Sequence, residues 1–95
     1  MGLAQFTIVI SYDISSPLVR RRVAALLEDA MARVQLSVFE ARMNMRQAQA
    51  LFDAVAALLE EDDSLRMYVL DANAVRRSRT AGGAPLPEDG GWWLL

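Results

Sequence analysis

The segment Gln5–Asp13 constrains the fold of this chain more than any other segment. It reads Gln-Phe-Thr-Ile-Val-Ile-Ser-Tyr-Asp, which is rich in β-branched and apolar residues and too short for a typical helix. Such a segment is typical of a buried strand in the middle of a sheet. The sequence therefore predicts a sheet built around this strand.

The composition limits both the size of the core and the chemistry of any site. With 95 residues the chain fits one domain, and its small core leaves a thin stability margin that dimerisation would increase. Cys and His are absent, so disulfides, thiolate metal sites and Ser/His or Cys/His nucleophiles are excluded. A metal site must use oxygen ligands, which favours Mg²⁺, Mn²⁺ or Ca²⁺.

No N-terminal signal pattern and no apolar run of about 20 residues occurs, so we expect a cytoplasmic protein without membrane attachment.

The distribution of charge predicts a protein with a locally basic surface. All ten basic residues are arginine, which suits planar recognition of phosphate, although a GC-rich coding bias gives the same composition. The arginines gather at 20–22 and 76–79, so a basic face is compatible with the net charge of −2.

A first helix is predicted over residues 17–31, because Ser16 can cap it and proline is favoured at its first position. Arg21 points away from the apolar stripe of this helix, whereas Arg20 and Arg22 flank it. The three arginines therefore cannot all serve one ligand, and Arg20 and Arg22 are the better candidates for function. A merely solvated face is the alternative. The stripe consists of Val19, Val23, Leu26, Leu27 and Ala30.

The rest of the chain predicts two further extended regions and a second helix. Residues 33–43 alternate as extended structure without Gly or Pro, so one long strand and a hairpin that turns near Leu36-Ser37 are both open. Asn44 can begin a helix that ends near Glu60, with Gln47 completing a capping box. Residues 65–70 alternate as another strand, and 71–79 are expected to be irregular and partly ordered.

This order of elements predicts an α+β fold of the β-α-β-β-α-β type, a split β-α-β sandwich, over residues 1–80. Helices would cover one face of the sheet. The other face would need a partner, and a second copy that packs sheet against sheet is the expected one. Residues 81–95 form a turn-rich tail ending in Trp92-Trp93-Leu94-Leu95, which we expect to dock on the protein or on a partner, as a strand added to a sheet edge.

Asp13 is the main candidate for chemistry, since it ends the first strand and is followed by a helix start and three arginines. A carboxylate can hold a divalent cation, while helix N–H groups and guanidinium groups hold phosphate oxygens. Together they outline a site for a phosphodiester. An Asp at this place can also be a turn or cap residue. In a symmetric dimer, two Asp13 carboxylates could share one cation.

Four features of this chain resemble those of the CRISPR-associated protein Two family. They are Tyr12-Asp13-Ile14, the arginines 20–22, the segment Arg33-Val34-Gln35-Leu36-Ser37-Val38-Phe39-Glu40, and Asp63-Ser64-Leu65-Arg66-Met67-Tyr68. The match extends over about residues 6–70. It implies a ferredoxin-like homodimer that acts in spacer acquisition in antiviral defence, where it bridges copies of the CRISPR-associated integrase and helps to bind the incoming DNA duplex.

The resemblance also implies a metal-dependent endonuclease on single-stranded RNA or double-stranded DNA. Asp13 matches the metal ligand of the family, with Mg²⁺ as the expected ion and Mn²⁺ as the alternative. Residues that match positions implicated in cleavage or substrate contact are Tyr12, Arg20, Arg22, Arg33 and Phe39. Phe39 could stack on a base or could be a core aromatic residue. Many relatives have an aromatic-glycine turn where this chain has Ala30-Met31-Ala32, which leaves that connection open.

Two functions of different classes are therefore expected. The first is a Mg²⁺-dependent endonuclease that uses Asp13. The second is a non-catalytic structural dimer that organises the integrase on protospacer DNA. The two are not mutually exclusive.

Overall fold

The structure is a computed structural model that describes residues 3–87. Its strands and helices follow the predicted order, with a short helix added after the last strand. The sheet order is β2-β3-β1-β4, and every neighbouring pair is antiparallel. The predicted β-α-β-β-α-β arrangement is thus confirmed. The elements are β1 Gln5–Asp13, α1 Pro17–Glu28, β2 Ala32–Gln35, β3 Val38–Asn44, α2 Met45–Ala56, β4 Ser64–Leu70 and α3 Ala72–Arg77.

The extended region between the helices is a hairpin and not one long strand. β2 and β3 are joined by the two residues Leu36 and Ser37, and Gln35 lies opposite Val38. The backbone N–H of Tyr12 donates to the carbonyl oxygen of Ser37 at 3.2 Å. The hairpin turn is thereby attached to the end of β1, next to Asp13.

Both long helices end earlier than predicted. α1 ends at Glu28 instead of residue 31, because the backbone N–H groups of Ala30 and Met31 both donate to the Leu27 carbonyl, at 3.0 and 2.8 Å, and form a tight turn into β2. No glycine is needed in this turn, and Met31 is buried. α2 ends at Ala56 instead of near Glu60. Its apolar pattern continues past that point, but the last residues form a turn.

The start of α2 agrees with the prediction in detail. The Asn44 side chain accepts a hydrogen bond from the Gln47 backbone N–H at 2.9 Å, and the Gln47 side chain accepts one from the Asn44 N–H at 3.1 Å. This is the predicted capping box. The segment after β4 is more ordered than predicted, since Asp71 accepts from the Ala74 N–H at 2.8 Å and caps α3.

The core lies between one face of the sheet and helices α1 and α2. Ile8, Ile10 and Phe39 are fully buried and pack with helix residues such as Val23 and Leu27. Alternation along a strand places these sheet side chains on one face. We call this the helix-covered face.

The opposite face of the sheet, which we call the open face, has a different character. Alternation and register place Val9, Glu40, Arg66 and Tyr68 on it. Most of its side chains are partly or fully exposed. Thr7 is the exception, with 1% exposure, and it lies at the end of the sheet where α3 contacts β1 and β4.

The segment after α3 runs beside the hairpin strands. Residues 79–84 and the side of the sheet formed by Val34, Gln35, Val38 and Glu40 enclose a cleft of about 600 Å³. The predicted docking of Trp92-Trp93-Leu94-Leu95 lies outside the described residues. Over residues 3–87, no helix combines the length and the hydropathy that a membrane-spanning segment needs.

Candidate functional site

A cleft of about 580 Å³ opens where β1 ends, between the start of α1 and the β2–β3 hairpin. Its size is within the range of ligand-binding clefts in proteins. The cleft combines residues from three separate segments of the chain. They are Tyr12, Asp13, Ile14, Pro17, Arg20, Arg21, Ala24, Arg33, Leu36 and Ser37.

The loop between β1 and α1 is fixed at both of its ends. Ile14 is buried, which anchors the loop in the core. Ser16 caps α1, because its hydroxyl oxygen accepts a hydrogen bond from the Val19 backbone N–H at 3.2 Å. Pro17 then occupies the first turn of the helix, as the sequence predicts.

Two charged side chains from other parts of the molecule hold the middle of this loop. Nη1 of Arg20 donates to the carbonyl oxygens of Ile14 and Ser15, at 3.0 and 2.9 Å. The carboxylate of Asp63 accepts from the Ser15 N–H at 3.3 Å and from the Glu60 N–H at 2.8 Å. The loop that follows Asp13 is therefore tied both to α1 and to the turn before β4.

Three side chains form a stack on the wall of the cleft. The rings of Tyr12 and Phe39 have centroids 6.3 Å apart and are inclined by 25°. The guanidinium carbon of Arg33 lies 5.2 Å from the centroid of the Phe39 ring. A guanidinium group over an aromatic face is stabilised by the ring quadrupole and can still donate hydrogen bonds in its own plane. The stack thus holds the Arg33 side chain in the cleft.

Asp13 lies at the rim of the cleft. It is exposed, it is the last residue of β1, and it pairs with Ser64 of β4. Strand alternation places it on the open face with Val9, one residue after Tyr12 of the helix-covered face. The carboxylate therefore stands where the cleft meets the open face.

The donor set at this rim is compatible with a hydrated Mg²⁺ ion. Mg²⁺ prefers oxygen ligands and is commonly held by one or two carboxylates while it keeps several waters. Among residues 3–87, Asp13 is the one carboxylate that lines the cleft. Within residues 3–87, no group of three or more acidic side chains is close enough together to hold a metal by itself. The described part of the chain thus offers one carboxylate at this rim.

The structure brings together most of the residues predicted for the site. Tyr12, Asp13, Arg20 and Arg33 all line the cleft. Phe39 lies beneath it with 0% exposure, so it acts as a core aromatic residue and has no free face on which a base could stack.

Arg22 is exposed on α1, and it is absent from the lining of the cleft, whereas its neighbour Arg21 is present in it. The apolar stripe of the helix, taken alone, favoured Arg22 over Arg21, because Arg22 flanks the stripe and Arg21 points away from it. The missed signal is the spacing of Pro17, Arg20, Arg21 and Ala24, which places them on one side of a helix.

The cleft is locally basic although the chain is acidic overall. Three guanidinium groups and one carboxylate line it, which gives a local charge of +2 against −2 for the chain. A basic cleft attracts polyanions at short range, where local contacts matter more than the net charge.

Another cleft, of about 490 Å³, lies at the far end of the sheet. It is bounded by Gln5, the turn at Ala30 and Met31, and the segment that contains Pro85 and Pro87. Gln5 and Asp13 are the two ends of β1, about 26 Å apart for a strand of this length. This second cleft is therefore separate from the rim at Asp13.

Comparison with known proteins gives consistent matches over most of the chain. Residues 6–78 match the family model of CRISPR associated protein Cas2. A relative from Synechocystis sp., named CRISPR-associated endoribonuclease Cas2 3, is 34% identical over 87 residues, which are 90% of this chain and 95% of the relative.

Solved structures match the fold as well. The hypothetical protein TT1823 from Thermus thermophilus superposes with a TM-score of 0.75 at 33% identity, covering 90% of this chain and 100% of that one. A chain of a partial Cas6-RT-Cas1–Cas2 complex gives a TM-score of 0.66 at 26% identity, covering 87% and 98% of the two chains. These neighbours fit the predicted ferredoxin-like fold.

Proposed function

This chain belongs to the CRISPR-associated Cas2 family, and on that premise we propose that it acts in spacer acquisition as a metal-dependent endonuclease. The proposed substrates are single-stranded RNA or double-stranded DNA. The observation that carries the proposal is the cleft that joins Asp13 to Arg20, Arg21 and Arg33. The relatives named endoribonuclease support the same class of reaction.

The residues of the cleft suit the hydrolysis of a phosphodiester. Arg33 is exposed and rests on the Phe39 ring, a contact that favours one position of its guanidinium and so lowers the cost of ordering it when the substrate binds. A guanidinium can donate two hydrogen bonds to the non-bridging oxygens of a phosphate. Such donors stabilise the negative charge that grows on these oxygens as the attacking oxygen approaches phosphorus.

Arg20 contributes in a different way from Arg33. Its Nη1 atom donates to the carbonyl oxygens of Ile14 and Ser15, so it fixes the backbone of the loop that directly follows Asp13. Tyr12 supports the stack on which Arg33 rests, through its ring contact with Phe39. Both residues thus position the groups that would contact the phosphate.

Asp13 would hold the Mg²⁺ ion at the rim, where the ion would supply an activated water and a positive charge beside the phosphate. Cys and His are absent from the chain, and no Ser/His or Cys/His nucleophile can form. Attack by water is therefore the expected route.

We further propose that the active form is a homodimer joined through the open face. Val9 and Tyr68 supply apolar surface on this face, and Tyr68 is 48% exposed. Because Asp13 ends on the same face, a two-fold axis there would bring two carboxylates towards each other. Two carboxylates hold a divalent cation better than one.

A non-catalytic role is the second candidate. In this alternative, the dimer bridges copies of the integrase and binds protospacer DNA through its basic clefts. The observation that favours it is the match to a chain of a partial Cas6-RT-Cas1–Cas2 complex. Both functions use the same arginines, and they differ in whether the Asp13 carboxylate is required.

The test compares wild type with Asp13→Asn on labelled single-stranded RNA and duplex DNA, with Mg²⁺, Mn²⁺ or EDTA. We expect cleavage by the wild type with metal, and a loss of at least a hundredfold both in the variant and in EDTA. Asp53→Asn is the matched control, because it removes a carboxylate from an exposed position on α2.

Matched preparations of all three proteins control for a contaminating nuclease. Equal cleavage by wild type and Asp13→Asn would rule out the proposed mechanism. Normal spacer acquisition by the same variant would then make the bridging dimer the working function.

A further inference from the structure

We propose that Arg21 and Arg33 form a phosphate-binding subsite for the backbone of a nucleic acid in the Asp13 cleft. This inference rests on the proposed function and assigns an anion contact to Arg21, which is not among the site residues predicted from the sequence. It concerns binding, so it can be tested without cleavage.

Arg21 lies on the side of α1 that faces the cleft. Pro17, Arg20, Arg21 and Ala24 are spaced by three and four residues, and all four line the cleft. Ala24 is 7% exposed and anchors this side of the helix to the body of the protein, while the side chains of Arg20 and Arg21 are exposed at the cleft. Arg22 lies about 100° beyond Arg21 in the direction away from Arg20, and hence about 200° from Arg20, which takes it off this side.

Arg20 and Arg21 differ in the hydrogen bonds that their side chains make within the protein. Nη1 of Arg20 donates to two loop carbonyls. Within residues 3–87 the Arg21 side chain makes no hydrogen bond and no ion pair, and it is exposed. All five N–H donors of Arg21 are therefore available to a ligand, whereas Arg20 has part of its fork committed to the loop.

Arg33 completes the subsite from the wall of the cleft that β2 forms. It belongs to β2, across the cleft from α1, and the Phe39 ring at 5.2 Å holds its guanidinium. Ser37, which also lines the cleft, adds a hydroxyl donor at the hairpin turn. Donors on both walls suit a polyanion chain that runs along the cleft towards Asp13.

The chemistry of the subsite identifies the class of ligand. Two guanidinium groups recognise phosphate through paired, planar hydrogen bonds. The cleft opens to solvent at the exposed Leu36 and at Asp13, so a long chain can pass through it. A nucleic-acid backbone satisfies both conditions, since each nucleotide repeats the same phosphate.

The test measures binding of a labelled single-stranded RNA to the full chain in EDTA, over a series of salt concentrations. We expect Arg21→Ala to weaken binding about tenfold and to lower the slope of log affinity against log salt by about 0.7, the value for one phosphate contact on a single strand. Arg46→Ala removes the same charge from an exposed position on α2 and serves as the control. Arg21→Lys should retain most of the slope but lose part of the affinity.

The inference fails if Arg21→Ala and Arg46→Ala give the same affinity and slope, or if the wild type does not bind. It also fails if Arg22→Ala causes as large a loss as Arg21→Ala, because the assigned side of α1 would then be wrong. Failure of the enzyme proposal is distinguishable, since it appears as unchanged cleavage by Asp13→Asn while the Arg21 result stands. Unfolding in urea confirms that each variant is folded.

Discussion

The two faces of the sheet differ in how completely one chain can cover them. On the helix-covered face, Ile8, Ile10 and Phe39 are 0% exposed. On the open face, which carries Glu40 and Arg66, Tyr68 remains 48% exposed. The helix-covered face therefore specifies the fold of the single chain. The open face retains polar and aromatic side chains that are available for binding a partner or a ligand.

The largest expected effect comes from shortening a side chain on the helix-covered face. Ile10→Ala should lower the free energy of unfolding by about 2–5 kcal/mol, because it leaves a cavity in a closely packed core. Val9→Ala, at the adjacent position on the open face, should cost only about 1 kcal/mol, since Val9 is half-buried. Urea unfolding of both variants and the wild type measures the difference. Equal losses would contradict the distinction between the faces.

An intermediate effect is expected on the open face, where the proposed homodimer would bring a second copy. Tyr68→Asp would place a carboxylate in the proposed interface, and the dissociation constant of the dimer should rise by at least about thirtyfold, as for an aromatic hot spot. Sedimentation equilibrium measures this change, with Gln49→Asp as the control on an exposed position of α2. A monomeric wild type, or a Tyr68→Asp variant that dimerises normally, would contradict the proposed interface.

The smallest expected effect concerns Glu40 on the open face. Burial of this carboxyl group disfavours its charged form and raises its pKa above the ordinary value of 4.5. The folded protein therefore keeps a proton on Glu40 where the unfolded chain has lost it. The contribution of Glu40 to stability accordingly falls as the pH rises from 4.5 through the raised pKa.

Glu40→Gln should remove this part of the pH dependence, because glutamine does not titrate. Urea unfolding of wild type and variant between about pH 4 and 7 measures it. We expect the variant to show the flatter profile, with a gain in stability relative to wild type towards the upper end. Parallel profiles would show that Glu40 is not desolvated in the folded protein.

Local signals in the sequence predicted the elements whose causes are local. Ser16 with Pro17 marks the start of α1, and Asn44 with Gln47 marks the start of α2. The helix ends were less predictable, because 29–31 and 57–59 carry apolar residues that would also suit a longer helix. Their position is decided by the turns that bring β2 and β4 into the sheet.

The candidate site was predicted in part. Tyr12, Asp13 and Arg33 are identified by motif, and the structure brings them to one cleft. Arg21 was missed, and the clamp that Asp63 forms on Ser15 could not be read from a separation of 48 positions along the chain. Such a contact depends on how the turn before β4 meets the loop after β1.

The sequence by itself determined the order of strands and helices, the helix starts, the exclusion of thiol and imidazole chemistry, and the family. These depend on residue type and on spacing within a few turns of chain. Only the tertiary structure decided which arginines line the cleft, that Asp63 is tied to the loop at Ser15, and why Phe39 is core. The physical reason is that β3 lies between β1 and β2 in the sheet, and the hairpin turn is hydrogen-bonded to the end of β1. This packing of segments that are distant in sequence sets the direction of each side chain.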